Sequence, residues 1–307
     1  MRIALIGQQA FGKAVLEALL AAQRDELVGV FCALEREGLP PDPLRAVAEA
    51  RGVPLFSFRR LRSPEALAQF RTLQPELAVM AYVTDIVPLE ILNAPVHGTF
   101  QYHPSLLPAH RGPSSINWPI ICGEKKTGLT IFWPDAGLDT GPILLQKEVA
   151  IEPDATVGSL YFEKLFPLGV EAVLEAIELV REGCAPRIPQ DENRASYEGW
   201  CRAEHARIDW SRPVSEVYNL IRGCDPQPGA YTIFRGERCK LFNCVRGDTA
   251  APGAEPGRVV VVDEIGFEVA AAGGTLRVHR VQLPDSKKIS AAEFVTTCGL
   301  EPGEQLG

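Results

Sequence analysis

The sequence predicts an α/β chain in two parts: a mostly parallel sheet with helices on both faces, followed by a small β-barrel. Three observations carry that prediction. Short apolar runs alternate with amphipathic stretches through the first part of the chain, which is the mark of β-α-β units. The interval 183–200 then loses any sustained period and gathers Pro186, Pro189, Gly199 and several charges. Beyond it come short segments rich in Val, Phe and Thr, separated by Gly, Pro and Asp clusters. A length of 307 residues also exceeds the usual ~100–200 per domain, so two domains are expected.

The elements follow in order. Residues 2–7 (RIALIG) read as a strand, 11–22 as an amphipathic helix and 27–32 as a second strand. A helix at 44–51, a strand at 53–56, a helix at 64–71 and a buried strand at 77–82 continue the alternation, and its repetition implies parallel pairing. Further strands are expected at 98–103, 128–133 and 143–150, and one long helix from 157 to about 182 closes the first domain. The division is therefore a first domain at 1–189, a linker at 190–203 and a second domain at 204–307. In the latter, strands are expected at 231–234, 240–244, 258–262, 266–270 and 276–281, with 248–257 (DTAAPGAEPG) as a polar loop.

Composition narrows the function classes. A 46% apolar and 23% charged chain is an ordinary globular protein. No run approaches the ~18 apolar residues of a membrane span, and the N-terminus has none of the character of a secretory leader, so a cytoplasmic location is expected. Eight cysteines occur without a C-x-x-C pair, and Cys201 with His205 is at most half a zinc site, so no metal is expected and the thiols read as small packed hydrophobes. The net charge of −8 opposes a large phosphate-binding surface; from Gln190 onward there are 14 Lys and Arg against 17 Asp and Glu, a net of −3.

Three motifs carry chemistry or exclude it. Residues 7–12 (GQQAFG) follow the first strand but match neither G-x-G-x-x-G nor the GK[ST] phosphate loop, so the glycines read as turn and packing devices. Residues 101–115 (QYHPSLLPAHRGPSS) take a strand bearing Gln101 and His103 straight into a loop stiffened by Pro104 and Pro108. Rigid placement is what a catalytic group requires, although His103 alone also fits a core histidine satisfied by backbone. Residues 132–141 (FWPDAGLDTG) set Asp135 and Asp139 among glycines and a threonine, where either acid serves an Asx-turn or a histidine nearby.

These residues carry a specific resemblance. HPSLLPAHRG, DAGLDTG and ARIDWSRPVSEVYNLIRGCDPQPGA (206–230) resemble, in the same order, the 10-formyltetrahydrofolate-dependent hydrolase and formyltransferase family, which includes methionyl-tRNA formyltransferase. The likeness spans nearly the whole chain. It is strongest to the N-terminal hydrolase domain of 10-formyltetrahydrofolate dehydrogenase, through IGQ…FG, YHPSLLP, INW, GLDTG, LLQKE and YEG. The resemblance implies a Rossmann-like folate-binding domain joined to a barrel of the oligonucleotide-binding type. It also implies that His103 and Asp139 are the catalytic histidine and aspartate. Transferases of the family read Asn-x-His where this chain reads Gln101-Tyr102-His103, so an oxyanion-supporting amide is present but one methylene longer.

The implied substrate is 10-formyltetrahydrofolate, and the implied chemistry is attack on its formyl carbon through a tetrahedral oxyanion, with Asp139 and His103 handling protons and Gln101 donating to the oxyanion. The pterin is expected in an apolar crevice bounded by 80–88 (MAYVTDIVP), with Tyr82, Val83, Asp85, Ile86 and Pro88, and by the 135–141 loop, with Asp135 and Gly137. Ser105, Leu106 and Leu107 complete that set. Arg111 either shapes the crevice or meets a carboxylate, with a surface salt bridge as the alternative. Water is the expected formyl acceptor; a transferase would give the group to an amine on methionyl-tRNA, an amino sugar or another small molecule.

Overall fold

The computed structural model describes residues 1–34, 38, 40–247 and 253–307. They form two units, one of Met1–Gly112, Gly128–Val149 and Glu163–Tyr197, the other of Pro113–Thr127, Ala150–Phe162 and Glu198–Gly307.

The first unit is built on a seven-stranded sheet. Its strands are β1 (Arg2–Gly7), β2 (Glu26–Ala33), β3 (Leu55–Phe58), β4 (Leu77–Ala81), β5 (Thr99–His103), β6 (Lys126–Phe132) and β7 (Ile143–Ala150), in the order β3-β2-β1-β4-β5-β6-β7. β1 pairs parallel with β2 and β4, and β4 with β5, whereas β6 runs antiparallel to β5. Side chains alternate along β1 as the pleat requires. Ile3 and Leu5 join a core with α1 (Gln9–Ala22) and α7 (Phe166–Arg181), while Ala4 and Ile6 join another with α3 (Pro64–Thr72) and α4 (Leu89–Leu92). Helices therefore cover both faces, as the alternation of runs predicts. Gly7 packs against β4 so closely that a Cβ would lie 2.6 Å from the Ala81 carbonyl oxygen, which accounts for this glycine without any nucleotide.

Two expectations are corrected in this part of the chain. The strand expected at 53–56 begins only at Leu55, because the Val53 N–H still bonds the Ala48 carbonyl at the end of α2 (Pro43–Ala50). The long helix expected from 157 to 182 is broken into α6 (Val157–Ser159), a π-helical turn at Leu160–Leu165 and α7. Pro167 is the cause: it has no N–H to donate, and its ring excludes the carbonyl four residues earlier, so the preceding turn widens.

The second unit carries α5 (Asn117–Ile121), α8 (Val214–Gly223), α9 (Ala291–Cys298) and eight strands. These are β8 (Tyr231–Phe234), β9 (Glu237–Phe242), β10 (Val245–Arg246), β11 (Val259–Asp263), β12 (Gly266–Ala271), β13 (Gly274–Val278), β14 (Arg280–Gln282) and β15 (Ile289–Ser290). They make two four-stranded antiparallel sheets, β10-β13-β12-β11 and β15-β14-β9-β8. The strand expected at 240–244 is the end of β9, which starts at Glu237 and stops at Phe242, and the one expected at 276–281 is two strands in different sheets. The chain changes sheet around Asn243, at φ +52°, and again at His279. Such corners let two sheets share one core, here with Tyr231, Phe234 and Leu241 from one, Phe267, Val269 and Leu276 from the other, and Phe294 of α9. Of the expected 248–257 loop, 248–252 lie outside the described residues.

Candidate active site

β5 delivers His103 at its end, beside Thr130 of β6. The ring is 4% exposed, and its Nε2 lies 2.9 Å from the His110 carbonyl oxygen. A carbonyl only accepts, so Nε2 carries the proton and donates it. The free edge of the ring is then Nδ1, which stands 3.6 Å from Asp139 Oδ2. The loop after His103 is fixed from beneath. Wholly buried Ser105 donates its hydroxyl to the Ala109 carbonyl at 2.7 Å, and Thr130 Oγ1 donates to the Ser105 carbonyl at 2.7 Å while accepting the Leu107 N–H at 3.1 Å. Gln146 of β7 adds bonds of 2.8 Å to the Leu107 carbonyl and 2.9 Å to Thr130 Oγ1.

Because β6 descends antiparallel to β5, with Phe132 beside Gln101, the loop that follows must turn back along the sheet for Asp139 to reach His103. Asp135 shapes that return. Its Oδ1 accepts from the Gly137 N–H at 3.0 Å and the Thr140 hydroxyl at 2.5 Å, an Asx-turn. At Gly141 a Cβ would sit 1.8 Å from the Trp133 carbonyl oxygen, so only glycine closes the loop. Asp139 is 8% exposed, and its Oδ2 accepts the Gly112 N–H at 2.8 Å. Of the two acids, one holds the turn and the other faces the histidine.

Arg111 is completely buried, and all five of its N–H donors are engaged. Nε and Nη2 bond Gln190 Oε1 at 3.1 and 2.8 Å, Nη1 and Nη2 bond the Glu192 carboxylate at 2.9 and 2.7 Å, and Nη1 also meets the Tyr197 hydroxyl at 2.5 Å. Pairing with Glu192 raises the guanidinium above its ordinary pKa, and the same bond lowers Glu192 below its own. No donor remains for a ligand carboxylate unless one of these bonds breaks. Ser196 fastens the same segment, accepting the His110 N–H on Oγ at 2.8 Å and the Arg111 N–H on its carbonyl at 2.9 Å. Residues 190–197, read from sequence as part of a linker, thus grip the loop after His103. Sequence reasoning gave no role to Gln190, Glu192, Ser196, Tyr197, Thr130 or Gln146, although Tyr197 lies in the YEG motif and Gln146 in LLQKE; for Gln190, Glu192 and Ser196 the signal was the density of hydrogen-bonding side chains in QDENRASY.

Of the remaining residues named from the sequence, five lie just after β4. Tyr82, at φ +61°, Val83 and Ile86 follow the strand, with Ile86 73% exposed, and Pro88 precedes α4. Asp85 supports this stretch from within, accepting the Leu61 N–H at 2.8 Å and the Ile86 N–H at 3.0 Å. Met80 is the register partner of Gln101, which links the stretch to the site. Leu106 is half-buried and Leu107 buried. The half-buried Gln101 amide has no hydrogen-bond partner among the described residues.

Two family models match the chain, "Formyl transferase" over residues 1–177 and "Formyl transferase, C-terminal domain" over residues 201–299. It is 43% identical to the cytosolic 10-formyltetrahydrofolate dehydrogenase of Mus musculus over 96% of this chain and 34% of that protein, so it spans about a third of the dehydrogenase's length. It is 38% identical to the methionyl-tRNA formyltransferase of Geobacter metallireducens, over 88% of this chain and 85% of that one. The crystal structure of HypX from Aquifex aeolicus in complex with tetrahydrofolic acid shares the fold, with a TM-score of 0.68 at 20% identity over 96% of this chain and 47% of that one. With one family model over more than half of its length and a second over most of the remainder, the chain belongs to the formyl transferase family.

Proposed function

We propose that this chain removes the formyl group from 10-formyltetrahydrofolate in the cytoplasm, passing it to water and releasing tetrahydrofolate and formate. The observation that carries the reading is the orientation of His103: with Nε2–H held by the His110 carbonyl, Nδ1 is the basic edge and lies beside Asp139. A water at that edge gives its proton to Nδ1 as its oxygen attacks the formyl carbon, and Asp139 stabilises the imidazolium that forms. The oxyanion draws on the uncommitted amide of Gln101. Collapse breaks the C–N bond, and Nδ1–H returns the proton to the departing folate nitrogen. Tyr82, Val83, Asp85, Ile86, Pro88, Ser105, Leu106, Leu107, Arg111, Asp135 and Gly137 form or support the folate crevice, within a catalytic domain of 1–189 joined through 190–203 to the domain at 204–307.

A second reading, transfer to an amine, is favoured by the 38% identity to a methionyl-tRNA formyltransferase. Hydrolysis is preferred because the identity to the dehydrogenase is higher, at 43%, and because the net charge of −3 from Gln190 onward suits tRNA phosphates poorly. The test is incubation with 10-formyltetrahydrofolate alone, with methionyl-tRNA and with amino sugars, following tetrahydrofolate and any formylated amine. Release in water alone, abolished by His103→Ala without loss of folate affinity, is the expected result. Release only when an amine is present establishes transfer instead, and no release in any arm overturns both readings.

A further inference from the structure

We propose that Gln190 is a positioning residue for the His103–Asp139 pair, a role that rests on the deformylase reading above. Its side-chain amide uses every hydrogen-bonding valence it has. Oε1 accepts from Arg111 Nε at 3.1 Å and Nη2 at 2.8 Å, and Nε2 donates to the carbonyls of Asp139 at 2.9 Å and Gly141 at 2.7 Å. One planar group therefore joins the loop that follows His103 to the loop that carries Asp139.

The join acts where the backbone most needs it. Asp139 lies at φ +56°, a left-handed conformation that a residue with a Cβ keeps only when its surroundings enforce it. Nε2 holds the carbonyl of that residue and the one two positions on, so neither the 139–140 nor the 141–142 peptide unit can rotate without breaking a bond. Gln190 also acts on the other side of the contact. It fixes Arg111, and the next residue, Gly112, donates the N–H that fixes Asp139 Oδ2. Glutamine is the side chain that fits: glutamate keeps the acceptor for Arg111 but turns an oxygen toward two carbonyls, and methionine keeps the length with neither function.

The consequence is a split between turnover and binding. The folate-facing stretch along β4 has no hydrogen bond to Gln190, so loosening the 139–141 backbone should misplace the carboxylate while leaving that stretch intact. Gln190→Glu and Gln190→Met, each in the full chain, are compared with the unmodified protein and His103→Ala in single-turnover and steady-state release of tetrahydrofolate. Hydrogen exchange of the Gly112 amide is followed in parallel. The expected result is a ~10–100-fold fall in kcat with KM within about twofold, the scale of an ångström misplacement, and faster exchange at Gly112. If the unmodified protein releases no tetrahydrofolate, the deformylase reading fails, and unchanged Gly112 exchange would then also overturn the positioning role. If it is active and His103→Ala is not, kcat within about twofold in both Gln190 variants overturns positioning alone, as does a raised KM at unchanged kcat. Should Gln190→Met not fold, Glu192→Gln, which weakens the hold on Arg111 from its exposed side, is expected to lower kcat about threefold at constant KM, and an unchanged kcat there overturns the proposal.

Discussion

Replacing Asp139 by asparagine isolates the charge of the carboxylate from its shape. An asparagine oxygen can still accept the Gly112 N–H that Asp139 Oδ2 accepts at 2.8 Å, so the loop retains its anchor. What is removed is a negative charge 3.6 Å from His103 Nδ1. With an effective dielectric near 20, a unit charge pair at that separation is worth about 4–5 kcal/mol, and it matters only when the ring is protonated during reaction. Losing it should slow the chemical step by roughly 10³-fold, since each ~1.4 kcal/mol is tenfold in rate. The assay is single-turnover release of tetrahydrofolate at saturating enzyme, with the melting temperature and folate affinity measured alongside. A rate within about tenfold of the unmodified protein, at unchanged stability, would refute the argument and reduce Asp139 to a backbone cap.

Other predictions follow from local geometry. Gln101→Leu should slow hydrolysis by ~10²-fold if its uncommitted amide supports the oxyanion, and Gln101→Asn should improve transfer to an amine more than hydrolysis; leucine without effect on either rate removes the amide from the mechanism. Arg277 bonds the buried Glu268 at 2.8 Å and Asp263 at 2.6 Å, so Arg277→Leu should cost ~3 kcal/mol at neutral pH, read by denaturant titration. The Arg277 bond holds Asp263 below its ordinary pKa, so its contribution is full above that range and disappears as pH falls through the folded value; the deficit of the variant should narrow in acid, and a constant deficit would count against the pairing. Among the thiols, Cys184 and Cys122 are both exposed, and Cys184 should label first because desolvation by surrounding atoms, then the nearby Glu124 and Glu198, push Cys122 up. Cys239, pushed up to about 12 by burial, and the still higher Cys244 should label only on unfolding.

The first sheet was legible because its strands are continuous apolar runs between turn signals, and β1 divides its residues between two cores by simple alternation. The direction of β6 was not readable, since a buried strand presents the same apolar run whichever way it points, and with it went the path by which Asp139 returns to His103. Pro167 did announce the break before α7, but the apolar periodicity on either side of it hid the signal. The corners at Asn243 and His279 are invisible for a related reason: a strand that changes sheet keeps its two-residue alternation through the bend. At the site, the identities of His103 and Asp139 came from motif, whereas the tautomer of the ring depends on the His110 carbonyl, a backbone group with no sequence signature. The hold of residues 190–197 on Arg111 is not legible, because side chains rich in hydrogen-bonding groups look the same whether they face water or a buried guanidinium.

The partners of Arg111 lie far ahead of it in the chain, 79 positions to Gln190 and 86 to Tyr197. The loop these contacts close is hardly costlier than the 74-residue one between Ile3 of β1 and Leu77 of β4, but their second partner is synthesised later. A growing polypeptide that has already paired β1, β2 and β4 therefore still carries a guanidinium without its carboxylate, and the loop around it has no reason to settle. Burial of that cation waits for Glu192 to be synthesised, and the geometry beside His103 waits with it. Under the deformylase reading proposed above, activity should thus require the chain through residue 197, beyond Val180, the last residue of α7 in the core that covers the sheet.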